Sequence, residues 1–149
     1  MNDAAYFLDA NVLMYAAGAA HPLREPCRRA LQRAVDLRVR LVTDAEVLQE
    51  ILHRYAAIRR LEVAETVYRS AVDVCDEVLP VTERDTARAL DLLRAHAHLT
   101  PRDAVHVATM EAAGVQLVLS ADRDFDGVPS VQRVDPMSFG GHPVGSEED

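Results

Sequence analysis

The chain has 149 residues, enough for a single domain with its own hydrophobic core, and its 49% hydrophobic and 27% charged residues are ordinary for a globular protein. Its net charge of -8 argues against a protein that holds nucleic acid by general basic attraction, but it is compatible with a nuclease that concentrates acids around metal ions. The 16 basic residues are all arginine, which excludes P-loop nucleotide hydrolases and Schiff-base enzymes, because both classes need a lysine.

The cysteines and the N-terminus bear on the cellular compartment. Cys27 and Cys75 fit neither a disulfide framework nor a zinc-ligand spacing, so both are interpreted as reduced residues in or near the core of a cytosolic protein. Residues 1–3 show neither a basic segment nor the start of a long apolar run, so no signal peptide is predicted. No apolar run approaches the roughly 20 residues that span a membrane. The sequence therefore predicts a cytoplasmic protein without membrane association.

The first predicted element is a buried strand over residues 6–8, an aromatic and aliphatic run. A short helix is expected to follow and to end near Gly18. A second helix is expected from Pro22, with apolar residues at helical spacing as far as Val35. This second helix carries a face of four arginines, interpreted either as a solvated face or as a surface that contacts phosphates or a partner: Arg24, Arg28, Arg29 and Arg33.

Capping patterns locate the helices in the middle of the chain. A second strand is expected over residues 40–43, and the helix after it is expected to run to about Ala57, with Thr43 as N-cap and Glu46 as the N3 residue of a capping box. Another helix is predicted over residues 62–74, with its valines on one side.

A third strand is expected over residues 78–81, near a sheet edge because of its proline, and a helix over residues 82–97. The inward face of that helix is predicted to contain Ala87, Leu90, Leu93 and Ala97. Thr100 is the predicted N-cap of the next helix, with Pro101 at N1 and Gly114 as its C-cap. Two last strands are expected over residues 115–119 and 131–134.

Strands that alternate with helices predict a three-layer α/β/α sandwich around a mostly parallel central sheet of about five strands. One domain is expected over residues 1–139, followed by an acidic and flexible tail over residues 140–149. In such sheets, functional sites form beyond the carboxyl ends of the strands.

Four carboxylates fall where that edge of the sheet is expected. Asp9 and Asp122 directly follow strands, Glu50 lies about two turns into the helix after the second strand, and Asp103 opens the helix before the fourth. Each has a structural alternative. The three aspartates could each cap a helix or a turn, and Glu50 could pair with Arg54 at i+4.

A shared edge of acids is better explained by metal binding than by capping alone. Carboxylates about 4 Å apart repel by roughly 1 kcal/mol per pair in water and by about 4 kcal/mol at an effective dielectric constant of 20. A cap contributes only about 1 kcal/mol. Oxygen ligands without cysteine or clustered histidine favour Mg²⁺ or Mn²⁺ over zinc.

The segments that carry these acids resemble, in order and spacing, those of a PIN domain and, within that superfamily, of the VapC-type toxin ribonucleases. They read FLDANVL at residues 7–13, VLQEI at 47–51, DAVHVA at 103–108 and SADRDF at 120–125. No single segment is specific, but four in the same order are, and the resemblance covers about residues 5–136.

The resemblance implies that Asp9, Glu50, Asp103 and Asp122 bind the catalytic metal ions, with Asp124 as a further acid. It also implies that Asn11 and Thr43 are small polar residues near the metals. The expected activity is Mg²⁺-dependent endonucleolytic cleavage of structured RNA, often tRNA or ribosomal RNA, with Mn²⁺ able to replace Mg²⁺. Members of this group are usually homodimers that a cognate VapB-type antitoxin neutralises.

Three further residues beside these acids are candidates for supporting roles. His106, one turn after Asp103, is expected either to contact the scissile region or orient a metal-bound water, or to be a hydrogen-bonded histidine beside the core. Arg102 and Arg123, each adjacent to a candidate ligand, are either phosphate contacts or solvated arginines.

Two other interpretations of the sequence compete with that of a ribonuclease. A haloacid-dehalogenase-like phosphatase would need a second aspartate where Asn11 stands, and it also needs a lysine, as does a receiver domain. A PIN fold that only binds RNA or protein, without catalysis, is the other alternative; the presence of all four acids argues against it.

Overall fold

A computed structural model describes residues 4–139, which form one parallel sheet flanked by helices. The strands are β1 (Ala5–Leu8), β2 (Arg40–Asp44), β3 (Glu77–Leu79), β4 (Leu117–Leu119) and β5 (Gln132–Val134). The helices are α1 (Ala10–Ala17), α2 (Arg24–Leu37), α3 (Ala45–Ala57), α4 (Leu61–Val74), α5 (Glu83–Ala95), α6 (Pro101–Ala113) and α7 (Pro136–Phe139), with a 3₁₀ turn over Arg123–Phe125. The predicted tail lies outside the described residues.

The strand order is β3-β2-β1-β4-β5, and all four pairings are parallel, as the alternating pattern predicted. α1 packs against α2, α3 and α4, whereas α5 packs against α6, so helices cover both faces of the sheet. The central strands bury most of their side chains, as expected where both faces are covered: Phe7, Leu8, Leu41, Val42, Val118 and Leu119 are at most 2% exposed. The predicted three-layer α/β/α sandwich is therefore confirmed.

The order of the strands determines where a site can form. From β1 the chain proceeds to β2 and β3 on one side, then crosses back to β4 and β5 on the other. The order therefore reverses between β1 and β4, and in open α/β sheets ligands bind at the carboxyl ends of the strands beside such a switch point. Asp9 follows β1 and Ser120 follows β4, and they lie on the two sides of this point.

The predicted capping box at the start of α3 is wrong. β2 continues one residue further than expected, and Asp44 is the N-cap, with its Oδ1 accepting from the Val47 N–H at 2.8 Å. Thr43 is instead a buried strand residue whose hydroxyl donates to the Leu8 carbonyl at 2.9 Å. Glu46 contacts Arg102 across the site. Both Thr43 and Asp44 could cap α3. Because β2 extends through Asp44, the aspartate is the residue at the N-cap position.

Two inward faces also differ from prediction. In α5 the buried residues are Asp85, Ala89 and Leu92, while Leu90 is 49% exposed. Ala and Leu residues occur on two sides of this helix, and the side that packs against α6 is not the one predicted from the sequence. In α2 the last expected core residue, Val35, is 54% exposed. The N-cap and Pro at the start of α6, and its left-handed Gly114 C-cap (φ 73°), are as predicted.

Both cysteines are free thiols; Cys27 is buried and Cys75 is half-buried. Within residues 4–139, no helix combines the length and the hydrophobicity that crossing a membrane requires.

Candidate active site

Asp9 is held at the carboxyl end of β1, where it is only 4% exposed. Its Oδ1 accepts from the Ala10 N–H at 2.8 Å and so caps α1, and its Oδ2 accepts from the Ser120 hydroxyl at 2.7 Å. Burial raises the pKa of Asp9 above its ordinary value, although these hydrogen bonds and the nearby His106 oppose the shift. Asp9 therefore caps α1 and also belongs to the cluster of acids.

Asn11 and Ser120 join the ends of β1 and β4. The Asn11 amide donates to Asp9 Oδ2 at 3.2 Å and to Ser120 Oγ at 3.1 Å, while its Oδ1 accepts from the Ala121 N–H at 3.2 Å. Ser120 Oγ in turn accepts from the Asp122 N–H at 2.9 Å. These bonds fix the orientation of the Asp9 carboxylate relative to the loop that carries Asp122.

Two further acids, Asp103 on α6 and Asp122 after β4, share the cavity with Asp9, and Asp124 lies beside them. One carboxylate oxygen each from Asp103, Asp122 and Asp124 lies within 4.8 Å of the other two. Burial, and then the neighbouring Asp9 and Asp122 carboxylates, raise the pKa of Asp103 to about 7. A carboxylic acid that ionises only near neutrality is a sign of uncompensated negative charge, which a divalent cation would neutralise.

Glu50 lies on α3 with 13% of its side chain exposed. Burial and the Asp9 carboxylate raise its pKa, and the Arg102 guanidinium opposes the shift. Arg102 Nη1 lies 3.7 Å from Glu50 Oε2, and its Nε donates to Glu46 Oε2 at 3.2 Å. Arg102 therefore bridges two acids one turn apart on α3, and Glu46, which sequence reasoning gave only a capping role, holds this arginine at the site.

His106 forms the floor of the site and is fully buried. Its Nδ1 lies 2.9 Å from Asp44 Oδ2, and its Nε2 lies 4.0 Å from Asp9 Oδ1 without a hydrogen-bond partner. The imidazole therefore lies beneath the acids, hydrogen-bonded to Asp44, where its burial keeps it from contacting RNA directly. Neither Asp44 nor Ser120 was singled out from the sequence.

A cavity of about 370 Å³ opens above these residues. It is lined by Asp9, Asn11, Tyr15, Leu23, Glu50, Arg54, Thr100, Arg102, Asp103, Ala121 and Asp122. The four acids identified from the sequence thus converge on one cavity. Thr43 is not among its lining residues, and Arg123 is exposed on the 3₁₀ turn beside it.

The donor set fits a divalent cation. The buried carboxylates with raised pKa values are hard oxygen ligands, and His106 Nε2 is a buried nitrogen atom without a partner. Two groups of candidate ligands are present among the described residues, Asp9 with Glu50 and His106, and Asp103 with Asp122 and Asp124. In each group the three candidate ligand atoms lie within 4.8 Å of one another.

Comparisons with known proteins agree with this geometry. A family model described as PIN domain matches residues 6–131. VapC ribonuclease Mb1869c of Mycobacterium bovis is 42% identical over 127 residues, which is 85% of this chain and 97% of that protein. Ribonuclease VapC23 of Mycobacterium tuberculosis is 39% identical over 119 residues, 78% of this chain and 91% of that protein.

Solved structures share the fold at low sequence identity. Mycobacterium tuberculosis VapC20, described as a sarcin-ricin loop cleaving toxin, superposes with a TM-score of 0.68 at 19% identity, covering 85% of this chain and 96% of that chain. VapBC2 from Rickettsia felis, solved with a DNA fragment from its promoter, gives a TM-score of 0.69 at 12% identity, covering 88% of this chain and 98% of that chain.

Proposed function

Because this chain belongs to the PIN-domain family and is a ribonuclease of the VapC type, we propose that it is a Mg²⁺-dependent endoribonuclease toxin that cleaves structured RNA, either tRNA or ribosomal RNA. We propose further that it acts in the cytoplasm as a homodimer and that a VapB-type antitoxin neutralises it. The observation that carries the proposal is the convergence of Asp9, Glu50, Asp103 and Asp122 on one cavity at the switch point of the sheet.

The four acids would hold the metal ions, with Asp124 completing the second group. A divalent cation bound there makes water nucleophilic near neutral pH and stabilises negative charge on the phosphate oxygens. Ser120 and Asn11 keep the Asp9 carboxylate in one orientation, so the ligand is in place before the substrate arrives.

Arginines beside the cavity supply the phosphate contacts. Arg102 and Arg54 line it, and Arg123 lies exposed on the adjacent turn. Once a cation neutralises Glu50, the Arg102 Nη1 group loses its carboxylate partner, whereas Glu46 still orients the guanidinium through Nε. We infer that Arg102 is then available to bind an RNA phosphate, because a planar guanidinium suits phosphate recognition.

We propose that the antitoxin also contacts an apolar surface outside the cavity. α3 and α4 present such a surface, with Leu52, Leu61 and Val72 between 42% and 64% exposed around a groove of about 590 Å³. An exposed apolar patch of this kind marks an interaction site in a soluble protein.

The test is incubation of the purified protein, free of any partner, with total bacterial RNA in the presence of Mg²⁺, Mn²⁺ or EDTA. Asp9→Asn is the inactive variant, and Asp91→Asn, on the exposed face of α5, is the matched control. We expect discrete fragments that need both metal and Asp9. Intact RNA with every metal, from a protein that still binds Mn²⁺, would instead favour the alternative of a catalytically silent PIN fold that binds RNA or protein.

A further inference from the structure

The imidazole of His106 is fixed in position from below. Its Nδ1 faces Asp44 Oδ2 at 2.9 Å, and that oxygen also accepts from the Thr109 hydroxyl at 2.8 Å. The other oxygen of Asp44 accepts from the Val47 N–H at the start of α3. Because a carboxylate only accepts hydrogen bonds, Nδ1 carries a proton, and the ring cannot rotate without breaking this contact.

The opposite nitrogen of the ring points into the acid cluster. His106 Nε2 is buried and has no hydrogen-bond partner, which is uncommon for a buried polar atom. It lies 4.0 Å from Asp9 Oδ1, and single ligand atoms of Asp9, Glu50 and His106 lie within 4.8 Å of one another. Two ligand atoms that each lie about 2.1 Å from one ion are at most about 4.2 Å apart. The spacing of Nε2 and Oδ1 therefore suits one shared ion.

A histidine that ligates a metal usually donates its other ring N–H to a carboxylate, which sets the tautomer and the ring orientation. Asp44 is the carboxylate that faces Nδ1 of His106 in this way, and neither residue lines the cavity. We propose that His106 Nε2 is a protein ligand of the cation held by Asp9 and Glu50, and that this mixed nitrogen and oxygen site binds Mn²⁺ more tightly than Mg²⁺. The inference rests on the proposed metal-dependent function and identifies one of its ligands.

The preference for Mn²⁺ follows from the ligand types. Mg²⁺ dehydrates reluctantly and is held by oxygen ligands and water, whereas imidazole is a ligand for first-row transition metals. A site made only of carboxylates would discriminate less between the two ions. The buried nitrogen therefore adds selectivity that the four family acids do not supply.

The hydrogen bond to Asp44 decides which ring nitrogen can bind an ion. With Nδ1–H donating to Asp44, the neutral imidazole of His106 has its lone pair on Nε2, which lies 4.0 Å from Asp9 Oδ1.

The direct test is pulsed electron paramagnetic resonance on the full-length protein loaded with Mn²⁺. We expect a ¹⁴N coupling from a directly bound imidazole, replaced by a ¹⁵N coupling in protein labelled with ¹⁵N-histidine. Bound Mn²⁺ without a nitrogen coupling would overturn the inference while the proposed function stood, provided that the same protein cuts RNA and Asp9→Asn does not. Failure to bind Mn²⁺ at all would overturn both.

Variants assign the coupling to one residue. His106→Asn keeps an amide N–H near the Nδ1 position, facing Asp44, but removes the Nε2 atom. His53→Asn is the control, since His53 is exposed on α3 and belongs to neither group of candidate ligands. We expect His106→Asn to lose the nitrogen coupling and at least about tenfold in Mn²⁺ affinity, with a smaller loss for Mg²⁺. Equal losses for both ions would mean that His106 only supports the fold, and would refute the ligand role.

Discussion

Replacing Asp103 with Asn should stabilise the metal-free protein while it abolishes RNA cleavage. The pKa of Asp103 is about 7 in the folded protein and near its ordinary value of 3.8 in the unfolded chain. Well below pH 4 the carboxyl group is protonated in both states, so it does not change the free energy of unfolding. Between pH 4 and pH 7 only the unfolded chain is ionised, so the free energy of unfolding falls as pH rises. Above pH 7, the difference between a pKa of about 7 and one of 3.8 lowers the free energy of unfolding by about 4 kcal/mol.

Asparagine has the same shape and no charge, so the variant escapes this cost. It also loses a favourable helix-dipole interaction of about 0.3–1 kcal/mol, because Asp103 lies in the first turn of α6. We therefore expect Asp103→Asn to raise the free energy of unfolding at pH 8 by between about 1 and 4 kcal/mol, and by much less at pH 5.

The assay is urea unfolding in EDTA at pH 5 and pH 8, with Asp91→Asn as the control for a lost surface charge. Adding Mg²⁺ at pH 8 should stabilise the wild-type protein and have less effect on Asp103→Asn, because a ligand stabilises only the state that binds it. The reasoning would be refuted if Asp103→Asn were no more stable than wild type at pH 8. It would also be refuted if the gain in the free energy of unfolding at pH 5 equalled the gain at pH 8.

Three other substitutions test separate parts of the site and the fold. Ser120→Ala removes the hydroxyl that donates to Asp9, so RNA cleavage should fall by about 10-fold to 100-fold with the fold intact, while Ser70→Ala on the exposed side of α4 should have no effect. Asp44→Ala leaves a buried histidine unpaired and should cost about 3–5 kcal/mol in urea unfolding at pH 7; a loss under about 1 kcal/mol would contradict the buried ion pair. Gly114→Ala forces a side chain into the left-handed conformation at the end of α6 and should cost about 1–2 kcal/mol, with unchanged cleavage.

The layered fold was predictable because each element has a local cause. Buried strands are apolar runs, and α6 begins and ends with residues that set its limits, Thr100 with Pro101 and then Gly114. Where two local solutions compete, the sequence does not decide. Either Thr43 or Asp44 can cap α3, and the length of β2, fixed by its pairing with β3, determines the outcome.

The same distinction applies to the site. The positions of the four acids relative to predicted strands were sufficient to expect them at one edge of the sheet, and they converge there. Ser120 and Asp44 were missed because their roles depend on contacts 111 and 62 residues away in the chain, to Asp9 and His106. Hydrogen bonds over such distances have no local pattern. The only available indication was a small polar residue directly after β4.

Capping and metal binding are not alternatives for these aspartates, although the sequence presents them as such. A carboxylate has about four lone-pair positions, and a cap uses one of them. Asp9 Oδ1 accepts from Ala10 and Asp122 Oδ1 accepts from Asp124, each through a single backbone N–H. Asp9 Oδ2 also accepts from Ser120 and Asn11, so one lone-pair position on Oδ1 stays available, and the bond from Ala10 fixes its direction. A helix or turn N-terminus thus orients both acids at the cavity, and a bound cation would relieve the repulsion between them.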